Sequence, residues 1–410
     1  MARNGKIITG LDIGTTKIGV VVAEPTESCT FRILGIGNAP AEGFKKGAVV
    51  DFEKTVDSIR QAIDDAEMVS GRKIESAFVG ISGDHIKSIN SRGVVAIGKT
   101  GGEIMPGDID RALQAAKSIS IPADREIIHI LPQTFIVDEQ GGIKDPVGFT
   151  GSRLEVDVHV VTGSVTAIQN ILKCIDKCGI NIDELVLESL ASSYAVLQKD
   201  EIDLGCVVID IGGGTTDIVV FQDGAIKHTA VISMGGKNVT SDLAIGLRTP
   251  LDKAEQLKCA HGSALSMRVD AAEMVLVPGV TGRESKQVSR SVLASIIEPR
   301  MEELFSLVAR ELKKSQITEA PAAGVVLTGG GSLLDGTADL AEQIFDLPAK
   351  PAAPHNYENS SEFNPGPAFA TGVGLIHYSL YRQEAGVSKT KGKGMLRTVE
   401  KIKKWLNEYF

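Results

Sequence analysis

The sequence predicts a two-lobed α/β fold with an inserted α+β subdomain and a C-terminal amphipathic helix, and three observations carry that expectation. A glycine-rich strand-turn-strand pattern occurs twice, as LDIGTTKIGVVV from Leu11 to Val22 and as VIDIGGGTTDIVVF from Val208 to Phe221. Between the copies the texture changes, from about Gly83 to Thr162, to short strands punctuated by Pro and Gly. After Gln383 a stretch without core-forming pattern precedes apolar residues at helical spacing.

The elements follow in order. The first hairpin, a strand and loop from Phe31 to Val50, a helix from about Asp51 to Val69 and a buried strand from Lys73 to Ser82 make the core of lobe 1, residues 1–83. The inserted subdomain, 84–163, carries the strands VVAIG, IIHILPQTFIV and LEVDVHVVTG and one helix near Asp108 to Ser118. Lobe 1 resumes over 164–195 with a helix to Gly179, the strand ELVLES and a helix from Leu190 to Leu197. The second hairpin opens lobe 2 at 196–226, and an outer subdomain spans 227–305. There the Gly235-Gly236 pair precedes a helix start, Thr249 is the expected N-cap of a helix with Pro250 in its first turn, and Gly262 ends it. Residues 285 to 315 read as a long helical region broken or kinked at Pro299. Lobe 2 continues over 306–360 with GVVLTGGGSLLDG, a buried strand delivered into a triple glycine. Residues 361–382 return to lobe 1 through a small-residue helix, 383–394 are a flexible linker with three lysines, and 395–410 form the amphipathic helix.

The hairpin tips have the chemistry of phosphate binding. Glycines let backbone N–H groups approach an anion, threonine hydroxyls add donors, and a carboxylate at the end of the first strand can hold a hydrated cation. Asp12 and Asp210 occupy that position. Two such tips from separate lobes can grip one polyphosphate from both sides, with magnesium between the aspartates and the phosphate oxygens. A single copy reads equally well as an ordinary tight hairpin; two copies in matching context favour the clamp.

Composition narrows the partners. At 410 residues the chain exceeds a single core of typical size. A net charge of -9 argues against a general nucleic-acid binder, whose affinity comes from a basic surface. The five cysteines show no zinc spacing and read as reduced core thiols. With no apolar run long enough to span a bilayer and no apolar signal region after Met1, the body of the protein is expected in the cytoplasm.

Taken together, these motifs resemble the actin-like (ribonuclease H-like) two-lobed ATPase superfamily. Three further features resemble the FtsA family of bacterial cell-division proteins over essentially the whole chain: the insertion after Gly80 to Gly83, AEQLKCAHG before a segment ending in Ile296 to Arg300, and the tethered C-terminal helix. That resemblance implies ATP with Mg2+ as ligand. It implies a first phosphate loop of Gly14, Thr15, Thr16 and Lys17, with Asp12 beside the magnesium. The second is Gly212, Gly213, Gly214, Thr215 and Thr216, with Asp210 on the metal side and Asp217 ordering water. Glu255 and Lys258 would hold ribose and adenine, Gly329, Gly330, Gly331 and Ser332 would flank the base, and Gly235 and Gly236 join the nucleotide contacts. Glu188 aligns with the position that orients attacking water; it also reads as a helix N-terminal charge. Lys17 also reads as a strand-end surface lysine, and Glu255 with Lys258 as a solvated helical pair. No equivalent of the chaperones' extra catalytic lysine is found, so at most slow ATP hydrolysis is expected and the nucleotide serves as a polymerisation switch.

The tail helix spans about 24 Å if wholly helical, too short and too charged to cross a bilayer. Leu396, Val399, Ile402, Leu406, Tyr409 and Phe410 share one face with Trp405 at its margin, so it is expected to lie on an anionic membrane surface; docking back on the core or a calmodulin-like peptide motif is the alternative. By resemblance, the partners are the C-terminal peptide of FtsZ, a second copy of the chain in an actin-like filament, and later divisome proteins. Lys286, Arg290 and Arg300, flanking the apolar helix of the outer subdomain, are candidates for a peptide carboxylate or a solvated face. The implied location is the cytoplasmic face of the inner membrane at the division site. Sugar kinase and chaperone readings lack a catalytic base and a substrate domain respectively. The rival is another membrane-associated actin-like scaffold, of MreB or pilus-assembly type.

Overall fold

The computed structural model describes residues 7–26, 30–98, 101–280, 284–315, 320–358 and 363–384. The expected amphipathic helix at 395–410 and all but the start of the linker lie outside them.

Both lobes are built on one topology. In lobe 1 the strand Ile8–Ile13 pairs antiparallel with Lys17–Pro25, which pairs with Phe31–Pro40, while on its other side Ser76–Ile81 and then Asn181–Leu187 run parallel. Lobe 2 repeats this arrangement: Cys206–Ile211 pairs antiparallel with Thr216–Gln222, then Ala225–Ile232, and parallel with Val325–Thr328, then Ala349–Pro351. The repeated hairpin of the sequence is therefore the centre of a repeated five-stranded sheet. Its strands are β-branched runs buried on both faces, as central strands between layers are. In both hairpins the ladder closes one residue past the aspartate, at Ile13 with Ile18 and at Ile211 with Thr216. Asp12 and Asp210 are thus delivered to equivalent points beside the tips.

The inserted subdomain is a four-stranded antiparallel sheet, Gln140–Ile143, Arg125–Val137, Arg153–Ser164 and Lys87–Ala96, with the helix Pro106–Lys117 against it. Ile109, Leu113, Phe135, Leu154 and Val156 form a core of its own. It docks on the edge strand of lobe 2: Gln133 Nε2 donates to the Ile226 carbonyl at 2.7 Å and Ser88 Oγ to the Thr229 carbonyl at 2.8 Å. The carbonyls of that edge are covered by side chains instead of being left to pair with another strand.

The helix Ala370–Glu384 returns to lobe 1, burying Val373, Leu375 and Ile376. Its small residues have a steric reason. A Cβ on Gly374 would sit 1.8 Å from the Ala191 carbonyl oxygen, and one on Gly10 would sit 2.5 Å from that of Gly372.

Three sequence expectations change. The 285–315 region is a strand, Lys286–Ser289, paired with Met274–Val277, followed by one helix, Arg290–Lys314, that runs through Pro299 unbroken. Proline removes one backbone bond, about 3 kcal/mol against alanine, but the buried face of Leu293, Ile297, Met301, Leu304 and Phe305 holds the helix together across it. The helix expected at Thr249 begins at Leu251 with Pro250 as N-cap. Thr249 does not cap: its hydroxyl is buried without a hydrogen-bond partner. Of the cysteines described, Cys174 and Cys206 are core thiols, but Cys178 is half-buried and Cys259 is exposed.

Candidate functional site

The two hairpin tips meet. Each tip is closed by the same bond, Gly14 N–H to the Lys17 carbonyl at 3.1 Å and Gly212 N–H to the Thr215 carbonyl at 2.9 Å. Across the gap, Gly213 and Gly214 lie so near Thr16 and Thr15 that an added Cβ would fall 2.3 and 2.6 Å from those side chains. Glycine is required here by the approach of the opposite lobe, a reason independent of turn geometry.

Between the lobes runs a cleft of about 510 Å³. Asp12, Gly14, Thr15, Thr16 and Lys17 line it from lobe 1 and Asp210, Gly212, Gly213, Thr215 and Asp217 from lobe 2. Glu188, Gly236, Glu255, Lys258, Gly329, Gly330 and Gly331 line it too. Four expected residues do not. Gly214 packs on Thr15, Gly235 lies against the Gly212 carbonyl, Thr216 Oγ1 donates to the Met234 carbonyl at 2.8 Å, and Ser332 Oγ donates to the Gly329 carbonyl at 2.8 Å. These support the walls. Gly329 has a φ of +80°, and a Cβ there would meet the Asp210 carboxylate at 2.2 Å, so the triple-glycine turn lies flat against the second aspartate.

The floor is acidic. Asp12, Asp210, Asp217 and Glu188 are enclosed, and burial raises the pKa of all four, Asp210 to about 7 and Glu188 well above the usual carboxylate range. Mutual repulsion adds to the rise at Glu188, Asp210 and Asp217. Ser82 donates to Asp217 at 2.6 Å, and Thr371 donates to Asp210 at 3.4 Å. Lys17 is drawn in as well: its ammonium lies 3.2 Å from the centre of the Phe369 ring and donates to the Ala368 carbonyl, and burial pushes it down to about 8 against the pull of Asp12 and Asp210.

At the other end, Lys258 Nζ donates to Glu255 Oε2 at 2.8 Å, to Thr240 Oγ1 at 2.9 Å and to the Gly236 carbonyl at 3.2 Å. Burial works to raise Glu255, but the bonds from Lys258 and Thr240 outweigh it and hold the carboxyl below its usual range. Sequence reading missed Lys237, Cys259, Pro367, Ala368 and Thr371 in this lining. Lys237 carried a signal, a lysine directly after the Gly235-Gly236 pair at a helix start; Thr371 carried none.

The three candidate partner cations are dispersed. Lys286 is exposed on the strand Lys286–Ser289. Arg290 turns inward to the cleft, bonded to the His261 carbonyl and Glu273. Arg300 grips both oxygens of Asp242, at 2.5 and 3.0 Å, and also Glu303.

Among the described residues no three His, Cys, Asp or Glu side chains form a metal cage on their own. Magnesium typically takes one or two carboxylates and completes its shell with water and substrate phosphates, and Asp12 and Asp210 line the cleft. Four clustered acids with Lys17 as the nearby cation, glycine tips and a cleft of about 510 Å³ make a donor set that suits a magnesium polyphosphate.

Duplicated five-stranded sheets closing over such a cleft define the class: a two-lobed protein of actin-like fold. The chain superposes on the PilM–PilN type IV pilus biogenesis complex with a TM-score of 0.66 at 19% identity, covering 91% of this chain and 98% of that one. MreB5 of Spiroplasma citri bound to ADP gives 0.55 at 14% identity, over 94% and 99%. At these identities the likeness establishes the fold. Residues 207–374 match the family model "Cell division protein FtsA" and residues 83–162 match "SHS2 domain inserted in FTSA". The cell division protein FtsA of Pseudomonas aeruginosa is 45% identical over all of this chain and 99% of its own length, and that of Escherichia coli K12 is 38% identical over the same shares. The chain belongs to the FtsA family of cell division proteins.

Proposed function

We propose that this cell division protein is an ATP-binding scaffold that joins FtsZ filaments to the inner face of the cytoplasmic membrane. It polymerises with itself and recruits later division proteins. The observation that carries the nucleotide reading is the convergence of both hairpin tips over four carboxylates, Asp210 and Asp217 buried and Asp12 and Glu188 half-buried. Asp12 and Asp210 would hold magnesium, which supplies charge neutralisation at the phosphate oxygens. The tips bind and orient the phosphates, Glu255 and Lys258 take the ribose and base, and Gly329 to Gly331 lie along the base. Glu188, whose pKa burial and three neighbouring acids raise, is the residue assigned to orient the attacking water, and at most slow hydrolysis is proposed. The solved fold relative MreB5 of Spiroplasma citri is bound to ADP, in keeping with this reading.

The FtsZ C-terminal peptide is assigned to the outer subdomain, where Lys286 presents an exposed ammonium. Membrane attachment is assigned to residues 395–410, which the sequence leads one to expect as an amphipathic helix. One experiment tests the set: co-pelleting with anionic vesicles and Mg-ATP, with and without FtsZ, for the full chain and for a chain lacking residues from Gly394 onward. The full chain is expected to pellet and to carry FtsZ down, while the truncated chain keeps ATP binding and stays in solution. Equal pelleting of the truncated chain sinks the anchor. A full chain that pellets and leaves FtsZ behind favours another actin-like scaffold, of MreB or pilus-assembly type.

A further inference from the structure

The lysine that sequence reading missed is placed unlike the other cations of the cleft. Four line it: Lys17, Lys237, Lys258 and Arg290. Lys258 and Arg290 are ion-paired to carboxylates. The Lys17 ammonium contacts Ala368 and Phe369, just ahead of the helix that returns to its own lobe. Lys237 alone of the four crosses between the hairpin tips, with its Nζ donating to the Thr15 carbonyl at 2.6 Å. Among the described residues it has no carboxylate within ion-pair distance.

Its backbone is locked to the opposite tip. The Lys237 N–H donates to the Gly213 carbonyl at 2.8 Å and the Gly236 N–H to the Gly212 carbonyl at 2.9 Å. Gly235 lies so close behind that an added Cβ would fall 2.5 Å from the Gly212 oxygen. One residue is thus anchored on the second tip and bonded to the first. An ammonium has three donors, and the Thr15 carbonyl takes one. A phosphate oxygen arriving between the tips is a charged acceptor, stronger than a neutral carbonyl.

Resting on the nucleotide reading above, we propose that Lys237 is the interlobe latch of this cleft and the residue that distinguishes a nucleoside triphosphate from a diphosphate. On the nucleotide reading the phosphates lie between the two tips, and the terminal phosphate is the one assigned to Lys237, whose ammonium already reaches the first tip at Thr15. With a diphosphate, the amine stays on the Thr15 carbonyl. Lys237 is exposed to solvent, and partial burial lowers its pKa against the pull of Glu255, so an arriving anion meets an accessible ammonium.

The test uses the full chain as wild type, Lys237→Met, which keeps the stem and removes the donors, and Lys237→Arg. Calorimetric titration with Mg-ATP and Mg-ADP is paired with hydrogen exchange of the nucleotide-free tips, residues 14–17 and 212–216. The Met variant is expected to lose tenfold or more in ATP affinity and less than twofold in ADP affinity, the Arg variant to regain most of the loss, and the Met variant's tips to exchange faster without any nucleotide. An equal loss for both nucleotides, or no loss for either, overturns the inference while leaving the nucleotide reading intact. Wild-type chain that binds neither nucleotide sinks that reading and the inference together, and it does so before any substitution is made.

Discussion

His129 sits in the inserted subdomain, yet its ring touches lobe 1 one residue from the floor of the cleft. Its Nε2 accepts the Leu187 N–H at 3.0 Å, next to Glu188, and burial, with Arg382 adding, pushes its pKa down to about 4. A histidine depressed from 6.5 binds fewer protons folded than unfolded, so its contribution is complete above pH 6.5 and is lost as pH falls toward 4. From pH 7 to pH 5 this one group removes about 2 kcal/mol. The buried acids of the cleft, whose pKa values are raised, act with the opposite sign, so the comparison must be between variants. Urea unfolding of wild type and His129→Asn at both pH values should show the gap between them narrowing by that amount at pH 5. A gap independent of pH would mean that folding leaves the pKa of His129 unshifted.

Close helix packing sets the boundary conditions for the cleft. The helix Ala370–Glu384 begins just after Ala368 and Phe369, which hold Lys17, and carries Thr371, which bonds Asp210. It reaches that position because Gly374 lets its backbone lie against the helix Glu188–Val196, whose first residue is the cleft's Glu188. Replacing Gly374 by Ala puts a methyl 1.8 Å from a backbone oxygen, where no rotamer can relieve it. Chemical denaturation should show a loss of roughly 2 to 3 kcal/mol. Ala at Gly366, where no atom lies within 4 Å of the built Cβ, should cost far less.

For the molecule as a whole, a ligand in the cleft touches both lobes at once. Contacts that span the two lobes include the polar pairs Ser82 with Asp217, Thr371 with Asp210, and Lys237 with Thr15, beside an apolar cluster that Cys206, Val208 and Val219 of lobe 2 share with Leu190 and Ala191 of lobe 1. A ligand that fills the cleft adds to them, and at a hundred times its Kd it raises the unfolding free energy by about 2.7 kcal/mol. Differential scanning calorimetry should show this with Mg-ATP and a smaller shift when EDTA removes magnesium. Equal shifts with and without the metal would detach Asp12 and Asp210 from the assigned role.

Much of the fold was legible because its signals are local. A β-branched run ending in Asp-Ile-Gly specifies a strand, its aspartate and its turn within a dozen residues, and the second copy needs no knowledge of the first. The elements read wrongly depend on distant partners. Lys286 to Ser289 become a strand because Met274 to Val277 lie alongside, and the helix through Pro299 survives because its buried face packs on lobe 2. Thr249 loses its expected cap because the helix opens two residues later.

What the sequence by itself determined is the duplicated hairpin, the aspartate at each strand end and the glycines at each tip, since alternation and turn chemistry are set by neighbours along the chain. Only the tertiary structure decided that the tips touch, that Lys237 bridges them, that Arg290 faces the cleft and that four acids share one buried floor. Burial and mutual repulsion depend on what four separate segments enclose together, and no local spacing encodes that.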